Sequence, residues 1–120
     1  MMAFQHGSRP TLWALAIALL LTTAVPAQAK WYSIVESSFA CSSKEFYKRM
    51  LRLAASKDME ARDAHMVEGL RTQECRVIDK GTEVYREDSS IEWGGVFTLF
   101  CVRPRGETEC YWLRSDRVLE

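Results

Sequence analysis

Cys75-Arg76-Val77-Ile78-Asp79-Lys80-Gly81-Thr82-Glu83-Val84-Tyr85-Arg86 decides the fold class of this 120-residue chain. Two short runs rich in β-branched and aromatic residues flank Asp79-Lys80-Gly81, where glycine supplies the positive φ that a tight turn needs. The same form recurs at Arg103-Pro104-Arg105-Gly106-Glu107, between a run over 96–103 and one over 109–114. Four strands joined by two three-residue hairpin loops are expected. Between the hairpins, residues 87–95 are polar at first and then carry Ile91 and Trp93 ahead of Gly94-Gly95. That stretch reads as the longest loop and the natural place for a binding function.

Upstream the apolar period changes. Ser42-Ser43-Lys44-Glu45 has the S-x-x-E form of a capping box, with the Ser42 hydroxyl accepting from the Glu45 backbone N–H. Phe46, Tyr47, Met50, Leu51, Leu53 and Ala54 then recur at helical spacing, while Lys44, Lys48, Arg49 and Arg52 fall on the other side. The basic side reads as a solvated helix face, or as the side that meets an acidic partner. Asp58 opens a second, shorter helix with Met59, Met66, Val67 and Leu70 as its apolar side, ending near Gly69, where a left-handed cap costs little. Residues 31–35 form a short strand or extended arm. The pattern predicts an α+β domain, with an N-terminal helical segment of one or two helices (30–71) packed on a small antiparallel sheet or partly open barrel (72–120).

Before that domain, Arg9 precedes an apolar run from Leu12 to Leu21, and Ala24-Val25-Pro26-Ala27-Gln28-Ala29 follows with small residues at Ala27 and Ala29. This is the layout of a signal peptide over residues 1–29, cleaved after Ala29. An uncleaved anchor is the rival reading, but Leu12 to Val25 is 14 residues, short of the roughly 20 that cross a bilayer. The first cysteine, Cys41, lies too far from the cleavage point for lipidation there. Without Arg9 the remaining 91 residues hold 15 Lys plus Arg against 16 Asp plus Glu, a formal charge of −1. Nothing in that balance steers the chain to nucleic acid or anionic lipid, and no membrane insertion of the mature part is expected. The reading places the chain in the periplasm or outside the cell.

A domain this small has a modest core. An even set of cysteines in an oxidising compartment is the usual supplement, so Cys41, Cys75, Cys101 and Cys110 are expected to form two disulfides. The pairing depends on hairpin register. A three-residue loop at Pro104-Arg105-Gly106 sends the Cys101 and Cys110 sulfurs to opposite faces, whereas a two-residue loop places them directly opposite. Proximity favours Cys101 with Cys110, leaving Cys41 to fasten the helix to the strand at Cys75, and this pairing is preferred. Cys75 with Cys101 and Cys41 with Cys110 stays open.

Chemistry-bearing residues are few. His65 is the only histidine after residue 29, and the cysteines lie 34, 26 and 9 residues apart with no C-x-x-C pair. No catalytic set, metal site or cofactor site is expected. The aromatics are the more informative group: Tyr85, Trp93 and Trp112, with Ile91, are the candidate binding residues, against the plainer reading that they fill the core.

Lys80-Gly81-Thr82-Glu83-Val84-Tyr85, then Val102-Arg103 with Gly106, then Tyr111-Trp112 and the segment 115–119, together resemble the bacterial Src-homology-three-like barrel. The likeness covers residues 75–120. It implies an SH3-like β half, and since such domains commonly bind cell-wall peptides or protein partners, a binding role. The combined expectation is a non-catalytic envelope module for a protein or peptidoglycan partner, with an inhibitor or immunity protein against a secreted enzyme as the alternative and a small hydrolase behind both.

Overall fold

The computed structural model describes residues 30–119, so the signal-peptide reading of 1–29 lies outside the described residues. The elements are β1 (Trp31–Ile34), β2 (Ser38–Cys41), α1 (Lys44–Ala55), α2 (Met59–Arg71), β3 (Cys75–Ile78), β4 (Glu83–Glu92), β5 (Phe97–Pro104), β6 (Tyr111–Arg114) and β7 (Val118–Leu119), with 3₁₀ turns at Trp93–Gly95 and Ser115–Arg117. The strands form one antiparallel sheet in the order β3-β2-β6-β5-β4-β1-β7.

The expected N-terminal helical segment is overturned. Two strands come first, and the helices are an insertion in mid-chain between β2 and β3. The short strand or arm read at 31–35 is the strand β1, whereas Ser38–Cys41 was not read as a strand, since four residues are too few to display a clear alternation.

The first expected hairpin is also corrected, because β3 and β4 do not pair with each other. The turn forms as read, with Gly81 at φ 85° and the Thr82 N–H donating to the Asp79 carbonyl at 3.1 Å. The partner is instead the chain before the helices. One register runs from Trp31↔Tyr85 through Ser33↔Glu83 to Ser38↔Ile78 and Cys41↔Cys75, without a slip. At its centre the Ile34 N–H donates to the Thr82 carbonyl at 3.1 Å and the Gly81 N–H to the Ile34 carbonyl at 2.8 Å. Residues 31–41 and 75–85 are therefore a single two-stranded ribbon, bent at 35–37 and 79–81. One half of the ribbon joins the sheet beside β6 and the other beside β5, which curls the sheet into a half-barrel.

Strand alternation then sorts the side chains. Ile34, Ala40, Ile78, Val84, Val102 and Leu113 point inward and are almost wholly buried. Cys41, Leu99, Cys101 and Trp112 point outward, where α1 covers them with Tyr47, Met50 and Leu51 as its buried residues. The Tyr47 hydroxyl accepts from the Arg114 N–H at 3.2 Å, and burial raises its pKa above the usual phenol value.

Local chemistry sets the helix limits. Ser43, one residue later than expected, caps α1 by accepting from the Phe46 N–H at 3.1 Å, because the Ser42 hydroxyl instead donates to the Glu74 carbonyl at 3.1 Å. Asp58 caps α2 as read, accepting from the Ala61 N–H. Gly69 does not terminate that helix; it is a buried internal residue, and the left-handed residue is Gln73 at φ 64°. Met59, Val67 and Leu70 are exposed rather than buried. What α2 packs inward is Gly69 against Phe46 and Cys75, with Met66 half-buried beside them.

Both disulfides follow the preferred pairing, Cys41–Cys75 and Cys101–Cys110. The second hairpin register differs from both loops considered. Cys101 pairs with Trp112, and six residues, 105–110, separate the strands, so Cys110 lies diagonally from Cys101 on the same face. Gly106 makes the expected turn at φ 84°, but the chain then runs on before β6 begins. Disulfide bonds of this kind place the chain in an oxidising, extracellular-type environment. Among the described residues no helix is long and apolar enough to cross a membrane.

Candidate functional site

Residues 87–95, expected to be a loop, belong instead to a long hairpin. β4 pairs with β5 from Val84↔Pro104 to Glu92↔Phe97, with a bulge between Arg86 and Asp88. The bulge releases Glu87 from the ladder, and its carboxylate accepts from the Arg103 guanidinium. Polar composition had concealed the strand, since Asp88, Ser89 and Ser90 are poor strand formers held there by pairing with Cys101, Phe100 and Leu99.

The hairpin ends in three successive left-handed residues, Trp93 (φ 52°), Gly94 (φ 65°) and Gly95 (φ 97°). Two of them are glycines, for which this conformation is free of Cβ strain; Trp93 adopts it at a cost. The Trp93 ring packs edge-on against Phe97, with centroids 5.0 Å apart and planes at 75°. Around it Ile91 is 73% exposed and Val96 71%, the two most exposed large apolar residues described. Isolated exposed aliphatics are ordinary, but two beside a half-exposed tryptophan on one tip are a patch.

The tip is tied down on one side. Glu92 and Lys48 of α1 form an ion pair at 2.7 Å with both side chains less than one-fifth exposed. Lys44 donates to Ser90 Oγ at 3.4 Å, and Ser90 donates to the Glu92 carboxylate. The basic side of α1, read as solvated or as meeting an acidic partner, thus meets its own hairpin through Lys44 and Lys48. The hydrogen bond from Lys48, with that from Ser90, holds the Glu92 carboxyl below its usual range, and the bond to Glu92 raises Lys48. A depressed carboxyl stabilises the fold above its unfolded value, about 4.3, and loses that contribution as pH falls through the lower folded value. Raised Lys48 contributes below its unfolded value and loses the effect only at alkaline pH. The tip is therefore expected to stay docked at neutral pH and to loosen in acid. NMR resonances of Ile91 and Trp93 should shift below the ordinary carboxylate range in the wild type and not in Glu92→Gln; equal titration in both would remove Glu92 from this role.

Ile91 and Trp93 are the two candidate residues that the fold brings together. Tyr85 lies at the far end of β4, edge-on to Trp31 at 6.0 Å, with Arg103 over its ring. Arg105 covers Trp31 at 3.9 Å and pairs with Glu83 at 2.9 Å. Trp112 sits half-buried between Cys41 and Cys101, with the Lys44 ammonium over its ring at 5.3 Å. Val96 and Phe97 complete the tip and were not singled out from sequence, although their spacing around Gly94-Gly95 was visible. His65 stacks on Phe46 at 3.8 Å and donates from Nε2 to the Phe46 carbonyl at 2.9 Å, a packing role.

No family model, curated protein or solved structure matches the chain.

Proposed function

We propose that this chain is a non-catalytic binding module of the cell envelope that presents the Ile91–Trp93–Val96 tip to an apolar pocket on a protein partner. In this reading residues 1–29 direct export and are removed after Ala29, and the mature part works in the periplasm or outside the cell. The exposed apolar patch on a closed, glycine-fixed hairpin end carries the proposal. A patch that its own core does not cover gains from burial against another surface. A tryptophan already held by Phe97 and by its backbone loses little freedom on binding, the property of an anchor residue. The likeness of residues 75–120 to bacterial Src-homology-three-like domains supports a binding role. A projecting wedge also suits insertion into the cleft of a secreted enzyme, so an inhibitor is the particular kind of module kept in view.

The test uses the oxidised chain as bait in envelope extract, beside single variants Ile91→Ser, Trp93→Ser and Val96→Ser. Trp93→Ser is expected to weaken capture of the partner by on the order of thirtyfold, equivalent to about 2 kcal/mol. All three exposed sites should leave the melting temperature close to wild type. Equal capture by wild type and the three variants would overturn the reading, as would retention on isolated cell wall that ignores the tip.

A further inference from the structure

The large apolar residues left exposed fall into two groups. Ile91, Trp93 and Val96 form the hairpin tip, whereas Met59, Val67, Leu70 and Val77 lie on α2 and β3. β3 ends the sheet, with β2 as its single neighbour among the described residues. It pairs with β2 over four residues without a slip and carries no proline or bulge, two usual means of closing an edge.

Strand alternation identifies which backbone groups of β3 face outward. The Ser42 N–H donates to the Glu74 carbonyl at 2.8 Å, so Glu74, Arg76 and Ile78 direct their groups at β2, and Cys75, Val77 and Asp79 direct theirs away. Cys75 is buried beneath α2, which makes Val77, 49% exposed, the centre of the accessible edge. The helix beside it presents the rest of the group. α1 packs over β2 and β6 and α2 over β3, with His65 on the α1 side and Gly69 against Cys75. At about 100° per residue, Met59 and Leu70 lie roughly 80–100° round α2 from Gly69, on the side away from His65. They therefore lie along the outer margin of β3. Asp63, the charged residue among them, is paired with Arg62.

We propose that this margin pairs with a second copy of the chain, β3 against β3 in antiparallel register about a two-fold axis at Val77. That axis sets Val77 opposite Val77, and twice sets the half-exposed Glu74 opposite the exposed Lys80 of the second copy. Opposite charges facing one another across a strand pair stabilise it, and like charges destabilise it. Moving the axis to Ile78 would oppose Arg76 to Lys80, and moving it to Arg76 would seat the pairing on the buried Cys75. The helices agree independently. α2 runs antiparallel to β3 with Gly69 at Cys75, so two residues along the strand, about 6.7 Å, correspond to about 4.5 residues along the helix. The axis thus passes α2 midway between Met59 and Leu70. A two-fold normal to the sheet keeps both α2 helices on one side, where each Met59 meets Leu70 of the second copy. The closed pair uses both β3 edges, and the hairpin tips, between β4 and β5, take no part.

Sedimentation of the oxidised chain over a range of concentrations is the test. A monomer–dimer equilibrium with a dissociation constant on the order of 10–100 μM is expected, the strength of a small interface. Val77→Lys, which sets two ammonium groups against each other on the axis, should weaken it at least about tenfold. Glu74→Lys and Lys80→Glu should each weaken it by about fivefold, and Glu74→Lys/Lys80→Glu should return it to within about twofold of wild type, because opposite charges then face each other again. Trp93→Ser should leave it unchanged. A monomer at every concentration, a dimer indifferent to Val77→Lys, a double variant no tighter than the single ones, or loss of the dimer in Trp93→Ser would each overturn the assignment.

Discussion

Replacing Cys41 and Cys75 together by alanine is expected to destabilise the fold by about 4 kcal/mol, from loop entropy alone. The bridge closes a separation of 34 residues, against 9 for Cys101–Cys110, for which the same relation gives about 2.5 kcal/mol. Position adds to length. Cys41 and Cys75 are direct cross-strand partners at the point where the helical insertion leaves the ribbon, and both are buried. Losing them frees that junction and leaves a small void beneath α2. For a domain of this size each kcal/mol moves the melting temperature by roughly 4–8 °C, so a fall on the order of 15–30 °C is expected. The Cys101→Ala/Cys110→Ala pair should fall less. Thermal denaturation of the two variants and of the fully reduced protein decides it. An unchanged melting temperature on reduction, or a larger loss from the shorter bridge, would refute the account.

The second large effect concerns Gly69. Alanine in a helix interior normally gains about 1 kcal/mol over glycine, so an unobstructed Gly69→Ala would stabilise α2. Here a Cβ would stand 2.7 Å from the Cys75 sulfur and 2.7 Å from Phe46 Cε1. The sulfur is fixed by its bridge, and Phe46 is held in place by stacking on His65 of the same helix. Overpacking of this kind costs about 1–3 kcal/mol, so Gly69→Ala is expected to be net destabilising and Gly69→Leu to lose about 3 kcal/mol or more. The decisive measurement is a cycle with the bridge removed. In the Cys41→Ala/Cys75→Ala background one of the two obstructing atoms is gone, and the penalty of Gly69→Ala should shrink by about 1 kcal/mol. An identical penalty in both backgrounds would show that the sulfur is not the obstacle.

Gly69 also marks where sequence reading reaches its limit. A glycine at the end of an apolar stripe reads as a cap, because local pattern cannot reveal that another element crosses there. The strands around the two glycine turns were legible, since each presents β-branched and aromatic residues next to a residue suited to positive φ. The α1 face was legible too, and Tyr47, Met50 and Leu51 are indeed its buried residues. What stayed hidden depends on distant pairing. Residues 31–41 become strands because 75–85 lie beside them, and nothing within either segment specifies the other. The candidate site was half visible. Ile91 and Trp93 stood out as apolar residues in a polar stretch, whereas the Glu92–Lys48 ion pair that docks the tip on α1 joins segments 44 residues apart and has no local signal.

The hairpin has one further property, which concerns what the protein avoids. β1 pairs with β4 only over Glu83–Tyr85, so beyond the bulge β4 has a neighbour on one side alone among the described residues. Its outer edge is a row of backbone donors and acceptors open to a strand from another molecule, and it lies next to an exposed apolar tip. That combination invites uncontrolled edge-to-edge assembly. The Arg86/Asp88 bulge twists the edge, and the exposed Asp88 beside it places a carboxylate there. The polar run that disguised the strand therefore acts as a gatekeeper, leaving the tip available without letting the chain polymerise through it.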